Sequence, residues 1–221
     1  MTRPALLVAH RTPRSPAACA VLAESGARLF ELDVQVGRTE LIVSHYVPLF
    51  GVFERDNWRI RPRAAAARDA RVTDAALAVP IGCRVLLDLK ARTPQDRMRL
   101  TETLLAARLD PHRFVACGSD LEQLATLREE GLPTWRSVGG ERDLAATLAG
   151  GVSGAEAVTV RHTLLTAARA SELRNLGVAV VAWTVNDPRR AAQLRTWGLD
   201  GVTSDRGEVF RAWMSVRGSP E

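Results

Sequence analysis

Apolar positions in this chain come in short, nearly unbroken runs separated by longer mixed stretches. The runs fall at residues 5–9, 29–36, 84–89, 114–117, 134–138, 157–160, 178–183 and 201–203. Continuous rather than alternating apolar character suits parallel strands covered on both faces. Between the runs lie segments with helical punctuation. One runs from Ser15 or Pro16 to Glu24 and stops at Gly26. Another spans 94–108, with Pro94 at its start and Thr93 as N-cap. Further segments at 120–130, 141–148, 166–175 and 188–197 each end at a glycine, and the last covers 207–215. Eight strands alternating with helices predict a closed (β/α)8 TIM-like barrel. An open doubly wound sheet is the alternative, because periodicity does not show closure. Residues 46–71 break the rhythm with Pro48, Gly51, Pro62, an Arg/Ala stretch and the aromatics Phe50, Phe53 and Trp58. They predict a rim insertion after the second strand. At 221 residues the chain, 1–221, is expected to form one domain.

Polar clusters follow several apolar runs. His10-Arg11 follows 5–9, Glu31 and Asp33 lie within 29–36, His45 follows 41–43, and Asp88 and Lys90 close 84–89. Glu31 and Asp33 are two apart on a strand and therefore face one side, as do Asp88 and Lys90. In a barrel, C-terminal strand ends converge on one mouth. Three carboxylates meeting there repel one another unless a cation binds, and hard oxygen donors select Mg²⁺, Ca²⁺ or Mn²⁺. The competing reading pairs each carboxylate with one of the many arginines. His10 and His45 can exchange protons near neutrality. A divalent ion, Arg11 and Lys90 together balance the charge of three carboxylates and one phosphodiester. Such a set suits metal-assisted phosphodiester cleavage. His112 reads as structural, at the start of a strand. His162 ends the sixth strand without completing a motif.

Composition changes this picture little. Hydrophobic content of 46% and charged content of 25% are those of an ordinary globular protein. Of 30 Lys+Arg residues only Lys90 is a lysine. A compact ammonium in an arginine-dominated chain suggests a task the planar guanidinium does not perform. The net charge of +5 is carried by dispersed arginines without a basic run interleaved with aromatics, which argues against nucleic acid as partner. Cys19, Cys83 and Cys117 fit neither a zinc site nor a disulfide framework. They read as small core residues in a reducing, cytoplasmic setting. No run approaches the roughly 18 apolar residues of a membrane span, and the first run is too short for a signal-peptide core.

Taken together, the motifs resemble the glycerophosphodiester phosphodiesterase family, within the phosphodiesterase barrels that include bacterial phosphatidylinositol phospholipase C and the spider sphingomyelinase D toxins. The similar stretches are VAHR, GARLFELDVQ, IVSH, LLDLK, VVAWTVND and GLDGVTSD. The resemblance implies Glu31, Asp33 and Asp88 as ligands of one divalent cation, Mg²⁺ or Ca²⁺ or alternatively Mn²⁺. It implies His10 and His45 as acid and base, and Arg11 and Lys90 as phosphate ligands. Trp183 would line the substrate groove with Asn186 nearby, although its strand position also suits a core tryptophan. In the family mechanism a neighbouring substrate hydroxyl attacks phosphorus, one histidine takes its proton, and the other protonates the leaving alcohol. A cyclic phosphate results, and hydrolysis can follow.

Three departures stand out. The family's glycine and P-E-N-T stretch is replaced by Thr12-Pro13-Arg14-Ser15-Pro16, without an acid. The usual aspartate after the second histidine is Tyr46. The third carboxylate is Asp88 rather than glutamate, as in the sphingomyelinase D branch. The expected substrate is thus a small phosphodiester. The main expectation is hydrolysis of glycerophosphodiesters. One alternative is a lyase that cyclises a lysophospholipid or another hydroxyl-bearing phosphodiester. A second is a barrel that binds phosphorylated ligands without turnover. Tyr46, Phe50, Phe53 and Trp58 at the rim would favour a lipid-like substrate or form a small local core.

Overall fold

The structure is a computed structural model that describes residues 3–12, 15–37, 40–45, 47–49, 53–56, 59–62, 70–91 and 93–216. The barrel strands are β1 (Leu6–Ala9), β2 (Leu29–Val36), β7 (Arg84–Leu89), β8 (Phe114–Gly118), β9 (Thr134–Val138), β10 (Ala157–Arg161), β11 (Ala179–Trp183) and β12 (Gly201–Ser204). Neighbours pair in parallel in the order β1-β12-β11-β10-β9-β8-β7-β2. Val8 and Ala9 of β1 then pair with Leu29 and Phe30 of β2, which closes the ring. Each strand is followed by a helix: α1 (Pro16–Glu24), α2 (Val72–Leu77), α3 (Pro94–Ala106), α4 (Leu121–Glu129), α5 (Glu141–Gly150), α6 (Ala167–Arg174), α7 (Pro188–Thr196) and α8 (Gly207–Ser215). The fold is a closed (β/α)8 barrel, as the sequence predicts.

Closure explains the unbroken apolar runs, since each strand buries both faces. Val8, Leu29, Leu86, Val115, Trp135, Ala157, Ala179 and Val181 form a cluster made only of strand residues, which fills the barrel interior. Their neighbours Leu7, Phe30, Leu32, Val85, Leu87, Val158, Val180 and Val202 pack outward with helix residues such as Leu100, Leu127, Leu173, Leu194, Phe210 and Trp213. Large Trp135 is accommodated inside by the small Ala157 and Ala179. At the seam between β1 and β12, a Cβ on Gly201 would lie 1.9 Å from the Leu6 carbonyl oxygen. Only glycine lets these backbones approach.

Most helix boundaries follow the sequence signals. Thr93 Oγ1 accepts from Asp96 N at 3.1 Å, and Asp96 Oδ2 accepts from Thr93 N at 3.3 Å, a reciprocal cap on α3. Asp120, Thr166 and Asp187 cap α4, α6 and α7 through their side chains. The segment expected as a loop insertion contains β-structure instead. β3 (Leu41–Val43) pairs antiparallel with β2, and β4 (Val47–Leu49), β5 (Phe53–Asp56) and β6 (Arg59–Pro62) form a separate three-stranded antiparallel sheet. Tyr46, Phe50 and Trp58, and the side chain of Phe53, lie outside the described residues.

Helix α2 was not expected either. Its six residues lack a side-chain cap. A distant side chain supports it. Arg113, just before β8, donates from Nη2 to the carbonyls of Ala76 (3.1 Å) and Val79 (2.8 Å), and from Nη1 to those of Pro80 (3.0 Å) and Cys83 (2.5 Å). These carbonyls belong to the end of α2 and the turn after it, where Ala76 O also accepts from Val79 N at 3.2 Å and Pro80 O from Cys83 N at 3.1 Å.

Candidate active site

The C-terminal strand ends enclose a cavity of about 620 Å³. His10 follows β1, and its backbone N donates to Ser204 O of β12 at 2.9 Å. The chain then turns sharply, with Arg11 at φ 47°. That left-handed conformation is unfavourable for a bulky residue. It aims the Arg11 backbone N–H at the Glu31 carboxylate, Oε2 at 2.7 Å. The next residue, Thr12, fixes the turn by donating from N (2.9 Å) and Oγ1 (2.8 Å) to Glu31 O. On β2, Glu31 and Asp33 point into the mouth and are nearly buried, at 5% and 4% exposure. Asp33 and Asp88 are register partners across β2 and β7. One carboxylate oxygen from each of Glu31, Asp33 and Asp88 lies within 4.8 Å of the other two, a set that could hold a metal ion.

Two cations flank this cluster. Lys90 Nζ lies 3.0 Å from Asp33 Oδ1 and hydrogen-bonds Asp88 Oδ2. Arg11 Nε lies 3.5 Å from Asp33 Oδ2. The geometry suits a lysine, since one rotatable point charge serves two carboxylates on different strands. Burial, reinforced by the charges of Asp33 and Asp88, pushes the Glu31 carboxyl up to about 8. Burial likewise raises Asp88, against the pull of Lys90. Burial opposes the charge on Lys90, yet Asp88 and Asp33 hold its pKa above the ordinary lysine value. The cluster is therefore short of positive charge.

His10 stands beside it. Nδ1 bonds Asp205 Oδ1 at 2.7 Å, and Nε2 lies 3.8 Å from Glu31 Oε2. Burial works against protonation of this ring, but the Asp205 hydrogen bond and the charges of Glu31, Asp205 and Asp33 prevail and raise its pKa. Asp205 is correspondingly lowered, chiefly by the bond from His10. It is held in turn by Asn186, whose Nδ2 donates to Oδ2 at 2.5 Å and whose Oδ1 accepts from Asp205 N at 3.0 Å and Ser204 Oγ at 2.9 Å. His45 also lines the cavity. The backbone before it is tied to β2, with Ser44 N donating to Asp33 O at 2.9 Å and Gln35 Nε2 to Ser44 O at 2.8 Å.

The structure thus brings His10, Arg11, Glu31, Asp33, His45, Asp88, Lys90 and Trp183 to one cavity. Trp183 ends β11 as a partly exposed wall rather than a core residue. His162 does not reach the mouth. It opens a 3₁₀ turn, His162–Leu164, its carbonyl accepts from Arg190 Nη2 at 2.7 Å, and burial with nearby Arg190 lowers its pKa. His112 sits in the turn before β8, with its N–H on Asp110 Oδ1 at 2.9 Å. Asp205 was missed as a site residue, although it directly follows the last strand and so obeys the rule that singled out His10. Cys117 is buried as expected, but it faces the cavity beside the carboxylates rather than the outer core. Arg161, at the end of β10, also went unread as a lining residue.

A family model for the glycerophosphoryl diester phosphodiesterase family matches residues 90–209, more than half of the chain. The chain belongs to this family. It is accordingly an enzyme, a phosphoric diester hydrolase by class. The matched stretch starts at Lys90, so the cluster of Glu31, Asp33 and Asp88 and both histidines of the mouth precede it. Solved structures agree on the fold. A glycerophosphodiester phosphodiesterase from Thermotoga maritima is 16% identical with TM-score 0.69, covering 98% of this chain and 100% of the other. An Oleispira antarctica phosphodiesterase, solved in complex with the product sn-glycerol-3-phosphate, is 14% identical with TM-score 0.70, covering 95% and 96%. A protein from Silicibacter pomeroyi DSS-3 bearing the same family designation is 19% identical with TM-score 0.71, covering 96% and 95%. A comparison with curated proteins finds no match. Among the described residues no helix is long and apolar enough to cross a membrane.

Proposed function

We propose that this chain, acting as a single barrel domain, cleaves glycerophosphodiesters to an alcohol and glycerol phosphate with the help of one divalent cation. The observation that carries this is the placing of His10, held by Asp205, against a trio of carboxylates, Glu31 and Asp33 buried and Asp88 half-buried. The trio fits a hard cation. One oxygen from each carboxylate lies within 4.8 Å of the other two, and burial keeps Glu31 protonated until about pH 8 when no added charge is present. Glu31, Asp33 and Asp88 would hold the ion. When bound, it supplies positive charge for the phosphate oxygens.

The remaining steps belong to the chain's own side chains. Arg11 and Lys90 orient the phosphodiester and offset its charge. The glycerol 2-hydroxyl, held in line with phosphorus, attacks it as His45 takes the hydroxyl proton. The bond from phosphorus to the leaving oxygen breaks, and His10 delivers its Nε2 proton to that oxygen. Asp205 and the carboxylates keep His10 protonated for this role. Water then opens the cyclic phosphate with the histidine roles reversed. In support, the Oleispira relative holds sn-glycerol-3-phosphate, the product expected here.

The cyclising alternative rests on Asp88, the shorter carboxylate, whose place matches the sphingomyelinase D branch. Product analysis by phosphorus NMR separates the two. Glycerophosphocholine should yield glycerol phosphate. A cyclic phosphate that persists, above all from lysophosphatidylcholine, would replace hydrolysis by cyclisation. Glycerophosphodiesters arise when phospholipids lose both acyl chains, so lipid turnover is the metabolic setting. Cys19, Cys83 and Cys117 are buried thiols rather than half-cystines, in keeping with the cytoplasm.

A further inference from the structure

Arg161 terminates β10, is exposed, and lines the cavity. Its guanidinium carbon lies 5.3 Å from the centroid of the Trp183 ring. Among the described residues its side chain forms no hydrogen bond or ion pair, and its backbone pairs with Trp183 in the sheet. The other two cations of the cavity differ, since Arg11 and Lys90 are both engaged with carboxylates. Strand order fixes where Arg161 stands. From β2, which carries Glu31 and Asp33, β10 is four strands away in either direction round the ring. Arg161 and Trp183 therefore form the wall opposite the carboxylate trio.

A phosphodiester seated against the trio must send one of its two alcohol groups across the cavity toward this wall. Stacking on the indole fixes the guanidinium plane and leaves its N–H edges open. A planar fork with open edges matches a carboxylate, which it grips through two parallel bonds. Trp183 itself is backed by Gly139, where a Cβ would already lie 3.8 Å from the ring. The wall also includes Asp143, in the first turn of α5, where the helix N-terminus favours its charge. Among the described residues Asp143 and Arg161 form no ion pair with each other, and both line the same cavity.

We infer that Arg161 is a specificity-determining residue that receives a carboxylate carried by the departing alcohol. The inference rests on the phosphodiesterase reading above. The alcohol with the fitting chemistry is an amino acid such as serine, whose ammonium group Asp143 can face.

Glycerophosphoserine and glycerophosphoethanolamine differ by that carboxylate alone, so their ratio isolates Arg161 and cancels Asp143. The parent protein should show kcat/KM about 10-fold higher for the serine diester, the scale of one charge-assisted pair. Arg161→Ala should bring the ratio to about 1, and Arg161→Lys should leave it in between, with unchanged melting temperatures as the check on folding. Equal kcat/KM in the parent, or a ratio that survives Arg161→Ala, overturns the inference while the phosphodiesterase reading stands. Turnover of neither diester overturns that reading and the inference with it.

Discussion

Glu31 keeps its proton in the folded, metal-free protein to about pH 8, whereas an unfolded glutamate releases it near ~4.3. Between those values the folded state binds more protons, so this residue makes stability fall as pH rises. His10 adds in the same direction, because its raised pKa gives stability that is present at low pH and lost as pH rises through the folded value. Asp205 acts oppositely, and its contribution disappears only as pH falls through its lowered pKa. A divalent cation must displace the Glu31 proton. Its affinity should therefore climb from about pH 6 to about pH 8, by up to ~10-fold per unit. Calorimetric titration with Mg²⁺ or Ca²⁺ checks this, and Glu31→Gln should flatten the profile. A flat profile in the parent contradicts the assignment. For the proton-transfer groups, His10→Ala and His45→Ala should each lower kcat by about 10²–10⁴-fold while metal binding persists. Asp205→Asn should shift the limb of the pH–rate profile set by His10 to lower pH, because Asp205 raises that pKa. An unmoved limb would show that the 2.7 Å contact does not tune the ring.

At the scale of elements, Arg113 binds four carbonyls around the end of α2. Arg113→Ala should cost about 1–3 kcal/mol, read by urea denaturation, with kcat unchanged because the residue lies at the opposite end of the strands from the mouth. This element also shows where the sequence stops being legible. Helices α3, α4, α6 and α7 announce themselves through Thr93, Asp120, Thr166 and Asp187, because capping is local chemistry written within four residues. Helix α2 has no such signal. Its support comes from an arginine far along the chain, and one-dimensional pattern does not carry that. The three-stranded sheet of residues 47–62 was equally hidden, since its short strands include prolines and charged residues. The site divides the same way. Glu31, Asp33, Asp88 and Lys90 are readable because a period of two on a strand fixes their face. The bond from His10 to Asp205 joins the first strand to the last, so only closure of the ring reveals it.

At the scale of the whole molecule, ring closure makes the site. It brings β1 against β2 and β12, and so sets His10 between Glu31 and Asp205. Gly201 at the β1–β12 seam is where the ring is least tolerant. Gly201→Ala places a methyl group 1.9 Å from Leu6 O. It should cost about 1–3 kcal/mol or more and lower activity through the displaced His10, measured by melting temperature together with kcat. An alanine variant as stable and active as the parent would show that the seam yields freely. The central claim is that the carboxylate trio and the two histidines form one metal-assisted phosphodiesterase centre. The direct test is phosphorus NMR of glycerophosphocholine with metal-stripped protein, before and after Mg²⁺ or Ca²⁺ is restored. The account predicts no turnover in chelator and glycerol phosphate once the cation returns. Undiminished turnover in chelator, or none with the cation present, would contradict it.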